Sequence, residues 1–84
     1  MGTISEADLI DCLQNKAVKK FSIRQTANGT YQIIVSLTWK EGELILETSR
    51  KAPREWASLD RLIRHIQEKY GKVPTISLTL HQQE

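Results

Sequence analysis

Three features of the 84-residue chain predict an α+β fold with the element order α-β-β-β-α-β. Period-two alternation runs from Lys20 to about Ser49, two glycine turns interrupt it, and an amphipathic helical segment lies on either side. The expected architecture is a small antiparallel sheet with the C-terminal helix packed on one face. The length suits one domain with one modest core over residues 1–84, with flexible ends at 1–4 and 81–84.

Ser5 followed by Glu6 and Asp8 is a helix start, because a hydroxyl cap and early acids complement the exposed N–H groups and the positive end of the helix dipole. Leu9, Ile10 and Leu13 then form the apolar stripe of a helix over about 5–15, with Cys12 at its margin. Phe21 and Ile23 alternate with Lys20, Ser22 and Arg24 in a first strand. Asn28-Gly29 predicts a type I′ hairpin turn, where both central residues need positive φ. Tyr31, Ile33, Val35, Leu37 and Trp39 form the inward series of a second strand, which places Trp39 in the core or at its margin. Lys40-Glu41-Gly42-Glu43 is expected to be the next turn, and Leu44 to Ser49 a third strand.

Pro53 stops that strand, since it has no N–H to donate and restricts Ala52. Ser58 caps a second helix whose Leu59, Leu62, Ile63, Ile66 and Tyr70 recur at helical spacing, and Gly71 ends it. Thr75 to Leu80 alternates once more and is a last strand, whose sheet edge the sequence leaves open. Ile34 and Ile45 fall on the face opposite the core series, which invites a partner or a covering first helix.

Composition excludes several classes. Hydrophobic content of 39% and charged content of 26% are ordinary for a globular domain and weigh against disorder. Twelve Lys and Arg against ten Asp and Glu give a net charge of +2, too weak to indicate nucleic acid by itself. Cys12 has no second cysteine to pair with, which fits a reducing cytoplasm, and no apolar run is long enough for a membrane span. Catalytic and metal motifs are absent from the sequence, so no cofactor is expected. A catalytic reading requires His65 or Cys12 to meet a carboxylate in a concave site. Instead, His65 is expected on the solvent side of the second helix beside Arg61 and Lys69, and His81 in a polar tail. Cys12, late in a short helix, is expected to be an inert small hydrophobe.

Cations concentrate around residues 49–62, SRKAPREWASLDRL. Pro53 and Ser58-Leu59-Asp60 have structural roles there, and Trp56 can fold back on the helix as a hydrophobic staple. Arg50, Lys51 and Arg54 have no such role, and with Arg61 and Arg64 on the helix and Lys16, Lys19, Lys20 and Arg24 near the first strand they could converge into one basic patch. Ion pairs Asp60–Arg64 and Arg64–Glu68 are expected at i,i+4, which favours a solvated, salt-bridged surface over a nucleic-acid site. Arginine beside an indole is nonetheless the composition of binding hot spots, so Arg50, Lys51, Arg54, Trp56, Arg61 and Arg64 are the candidate binding residues.

Thr48, Arg50, Pro53, Arg54, Trp56, Ser58, Leu59 and Asp60 carry a pattern that resembles small accessory proteins of plasmids and other mobile elements, including a ParC-like, partition-associated type. The likeness covers residues 46–66, and Lys51-Ala52 stands where many such proteins have Gly before the Pro-Arg pair. The leading expectation is a non-enzymatic accessory protein of such an element that binds a protein partner or DNA through this basic and aromatic surface. The alternative class is a small inhibitor of a host defence nuclease, of the anti-CRISPR or anti-restriction kind. The flat, uncharged TISLTL segment, residues 75–80, also predicts homodimer pairing through its free edge.

Overall fold

The computed structural model describes residues 2–81. Its elements are β1 (Gly2–Ile4), α1 (Glu6–Gln14), β2 (Val18–Gln25), β3 (Tyr31–Leu37), β4 (Lys40–Leu46), α2 (Leu59–His65) continued by a π-helical turn at Ile66–Tyr70, and β5 (Ile76–Thr79). The fold is α+β as expected, but the sheet is five-stranded and mixed, in the order β1-β4-β3-β2-β5. β2, β3 and β4 form the antiparallel meander, while β1 joins β4 and β5 joins β2 in parallel.

β1 corrects the expectation of a flexible start for residues 2–4, and Met1 lies outside the described residues. Gly2, Thr3 and Ile4 pair with Leu44, Ile45 and Leu46, and Ile4 is buried. Three residues carry too little periodicity to announce a strand; their partners lie forty residues away. Of the other expected flexible end, His81 donates its backbone N–H to the Gln25 side chain, and residues 82–84 lie outside the described residues.

One core cluster unites both helices with one sheet face. Leu9 of α1 and Leu62 and Ile66 of the second helical segment pack on Phe21, Ile23, Ile33, Val35, Leu44 and Leu46. Fully burying each such side chain contributes about 1.5–3 kcal/mol. The first helix therefore shares the face of the second and does not cover the opposite one. On that opposite face Ile34 is still only 1% exposed. Arg24 lies across from Gln32, Glu43 lies across from Ser36, and the Arg24–Glu43 ion pair of 3.1 Å must cross β3 between them, over Ile34. The stems of the two long side chains cover the isoleucine.

Both hairpins depart from their expected turns. Gly29 has φ 82°, Asn28 is not in the left-handed region, and the Gly29 N–H donates to the Thr26 carbonyl. The loop is thus a type I turn followed by a left-handed residue, not type I′. Between β3 and β4 the chain turns at Thr38-Trp39, because Leu37 pairs with Lys40. Gly42, at φ 92°, belongs to a bulge inside β4. Trp39 therefore sits at the hairpin tip, 68% exposed, and not in the core. No helix among the described residues is long and apolar enough to cross a membrane.

Candidate functional site

Beyond β4 the chain makes an excursion before returning to the sheet. Arg54 N–H donates to the Leu46 carbonyl, Glu47 pairs with Pro53, and Thr48 N–H donates to the Ala52 carbonyl, forming a short hairpin with Ser49, Arg50 and Lys51 at its tip. The chain rejoins β3 at Trp56, which exchanges two backbone hydrogen bonds of 2.9 Å with Tyr31. This pairing draws the indole into the core at 9% exposure.

The tip repeats the Thr26–Thr30 loop in detail. In both, the third loop residue donates its N–H to the leading threonine carbonyl, and that threonine's Oγ1 accepts two further backbone N–H groups. The left-handed position is occupied by Gly29 in the first loop and by Lys51, at φ 64°, in the second. A side chain there crowds the following carbonyl, at a cost of about 1–2 kcal/mol relative to ordinary backbone.

Of the candidate residues, Arg50 and Lys51 are exposed at this tip, and Arg61 and Arg64 are exposed on α2. The direct contact among the six is Arg54 over Trp56, with its guanidinium carbon 5.0 Å from the ring centroid. Trp56 is too buried to be a contact residue itself and instead supports Arg54 from beneath. Among the described residues the ion pairs are Arg24–Glu43 and His65–Glu6. The expected Asp60–Arg64 and Arg64–Glu68 pairs do not form, which leaves Arg64 without a carboxylate partner among the described residues.

Next to Trp56 lies a cluster that the sequence did not foretell. His65 is not on the solvent side: its side chain is 14% exposed, with its ring centroid 5.2 Å from Trp56 and 5.4 Å from Tyr70. His65 Nε2 lies 2.9 Å and Tyr70 OH 3.1 Å from the same Oε2 of Glu6. At 3.6 residues per turn, positions five apart are rotated by about 140° on an α-helix and cannot share a partner. The π-helical turn, closed by Gly71 N–H to the Ile66 carbonyl at 3.2 Å, brings positions five apart into line. Burial raises the Glu6 pKa, but hydrogen bonds from His65 and Tyr70, with the charges of His65 and Arg54, outweigh it and hold the carboxyl below its usual range. An ionised carboxylate only accepts, so His65 carries its proton on Nε2. Burial, then Glu6, push the Tyr70 phenol well above its usual range.

The meeting of His65 with Glu6 satisfies half of the condition set for catalysis. Glu6 also lines a hollow of about 290 Å³ with Ser5, Glu47, Thr48, Ser49 and Arg54, but His65 does not line it. Held between Trp56 and Tyr70 with Nε2 committed to Glu6, the imidazole acts as a clasp between α1 and the second helical segment. Cys12 is half-buried, and burial together with Asp8 and Asp11 raises its thiol pKa, which disfavours a nucleophilic thiolate. Among the described residues no three His, Cys, Asp or Glu side chains gather to hold a metal. No protein-family model matches this chain, and no match was found among the curated proteins or the solved structures.

Proposed function

We propose that this chain is a non-enzymatic accessory protein of a mobile genetic element that binds an acidic face of a partner protein through Arg50, Lys51, Arg54, Arg61 and Arg64. The observation that carries this reading is Lys51 at φ 64°, where the twin loop has Gly29. A lysine standing where the backbone favours glycine points to use of its side chain. Arg54, placed over buried Trp56, is pre-ordered for bidentate contact with carboxylates. The mobile-element setting and the ParC-like, partition-associated type rest on the resemblance of residues 46–66, and a cytoplasmic location rests on the lone Cys12.

The test is affinity capture from host lysate, with and without nuclease treatment, using the wild type and the Arg54→Ala/Arg61→Ala variant. A partner retained after nuclease and lost with the variant is the expected result. Capture abolished by nuclease would instead identify DNA as the ligand, and a host defence nuclease as the captured partner would favour the inhibitor class. Self-association through the free edge of β5 belongs to the same proposal, since Leu78 and Leu80 beside that edge are 47% and 57% exposed. Light scattering at high concentration gives a dimer mass if it holds and a monomer mass if it does not.

A further inference from the structure

Trp39 stands over a polar groove at the end of the sheet remote from the Arg50–Lys51 tip. The two lie at opposite ends of β4, about 20 Å apart at ~3.3 Å per residue. Lys19, Lys20 and Lys40 line the groove with Trp39, and Ser36 and Leu37 form part of its floor. Its volume of about 430 Å³ is that of a small-ligand site.

Two strand irregularities build this place. The β2–β3 register shifts between Val18 and Lys20, and the β3–β4 register shifts opposite Ser36 and Leu37, so a bulge lies on each side of the same stretch of β3. Consecutive residues of a regular strand point to opposite faces. Lys19 and Lys20 line one groove because the bulge turns one of them, and bulges are a recurrent means of re-aiming side chains at functional sites. The Glu41 carboxylate also borders the groove, against three ammonium groups. Trp39 and Lys40 also border a second hollow, with Asp8 and Asp11, whose carboxylates would repel an anion, which leaves the side of Lys19 and Lys20 as the approach.

We propose that this groove binds single-stranded nucleic acid, with a base stacked on Trp39 and the flanking phosphates held by Lys19, Lys20 and Lys40. An exposed indole beside cations is the pairing that sequence-tolerant single-strand sites use. Lysine is a compact point charge suited to phosphate oxygens and lacks the planar fork that reads carboxylates, so a strand fits better here than an acidic peptide. Duplex bases, already stacked on each other, leave the indole no face to cover. The groove is independent of the Arg54 surface.

The experiment titrates the protein with oligothymidylate of about ten nucleotides, within the site sizes such folds cover, reading tryptophan fluorescence and the anisotropy of labelled strand. A duplex of equal length and inorganic polyphosphate are separate arms. The oligonucleotide is expected to quench fluorescence and to bind more tightly than either. Trp39→Ala, a change at an exposed site, weakens binding roughly tenfold. Replacing Lys19, Lys20 and Lys40 together by Ala makes the slope of log affinity against log salt shallower by about two, at ~0.7 per phosphate contact. Lys69→Ala, which removes one positive charge on the helical segment, leaves binding unchanged, whereas Lys20→Ala alone weakens it. The proposal is overturned by any one of four results: no binding at low salt, duplex or polyphosphate binding equal to the oligonucleotide's, a salt slope unchanged in the triple variant, or an equal loss in Lys69→Ala.

Discussion

Lys51 occupies in the Thr48–Ala52 loop the left-handed position that Gly29 occupies in the Thr26–Thr30 loop. Two loops with the same hydrogen-bond pattern thus differ at the residue where glycine is least strained. Lys51→Gly is expected to raise the unfolding free energy by up to about 1 kcal/mol, since relief of crowding is partly offset by the freer unfolded chain. Urea unfolding checks this, and Gly29→Lys is expected to move stability the opposite way.

Trp56 anchors the return of the chain to the sheet. Trp56→Ala is expected to destabilise by about 3–5 kcal/mol, the range for a buried aromatic truncated in a core. It also removes the ring beneath Arg54 and the contact with His65. Thermal unfolding of Trp56→Ala and Trp56→Phe measures the effect, and the Phe variant is expected to lose less.

The Glu6 clasp gives stability a pH signature at both ends. Its carboxyl is depressed below 4.5 in the folded protein, so its contribution is full above that value and is lost as pH falls through the lower folded value. Tyr70 is displaced upward from 10, so its contribution is full below that value and declines as pH rises beyond it, where the unfolded chain ionises first. Urea unfolding across pH is expected to show a shallower acid limb for Glu6→Gln and a shallower alkaline limb for Tyr70→Phe.

The meander was legible because β2, β3 and β4 are amphipathic and adjacent, so alternation alone assigns their faces. The helix caps were legible too: Ser5 and Ser58 accept from Asp8 and Arg61 backbone N–H groups as expected. β1 and the parallel placement of β5 depend on partners far along the chain, and no local pattern encodes them. Trp39 lies outside the core because, although the alternation continues through it, the turn falls three residues earlier than the Lys40–Glu43 turn that Gly42 suggests. His65 leaves the solvent side because Glu6, 59 residues away in sequence, and the Trp56 indole pack against it, and the π-helical turn at Ile66–Tyr70 brings Tyr70 to the same carboxylate. Of Arg50, Lys51 and Arg54, to which the sequence gives no fold role, Arg54 lies over the Trp56 ring. The Lys51 backbone conformation, visible only in three dimensions, sharpens the case for the tip.

The most direct test of the proposed surface is the affinity of Lys51→Gly for the partner identified by capture, measured beside its stability. The variant is expected to be at least as stable as the wild type and to bind about tenfold or more weakly, the loss expected of a central contact residue. Equal or tighter binding by the stabilised variant would contradict the proposed surface, since the strained lysine would then serve no partner.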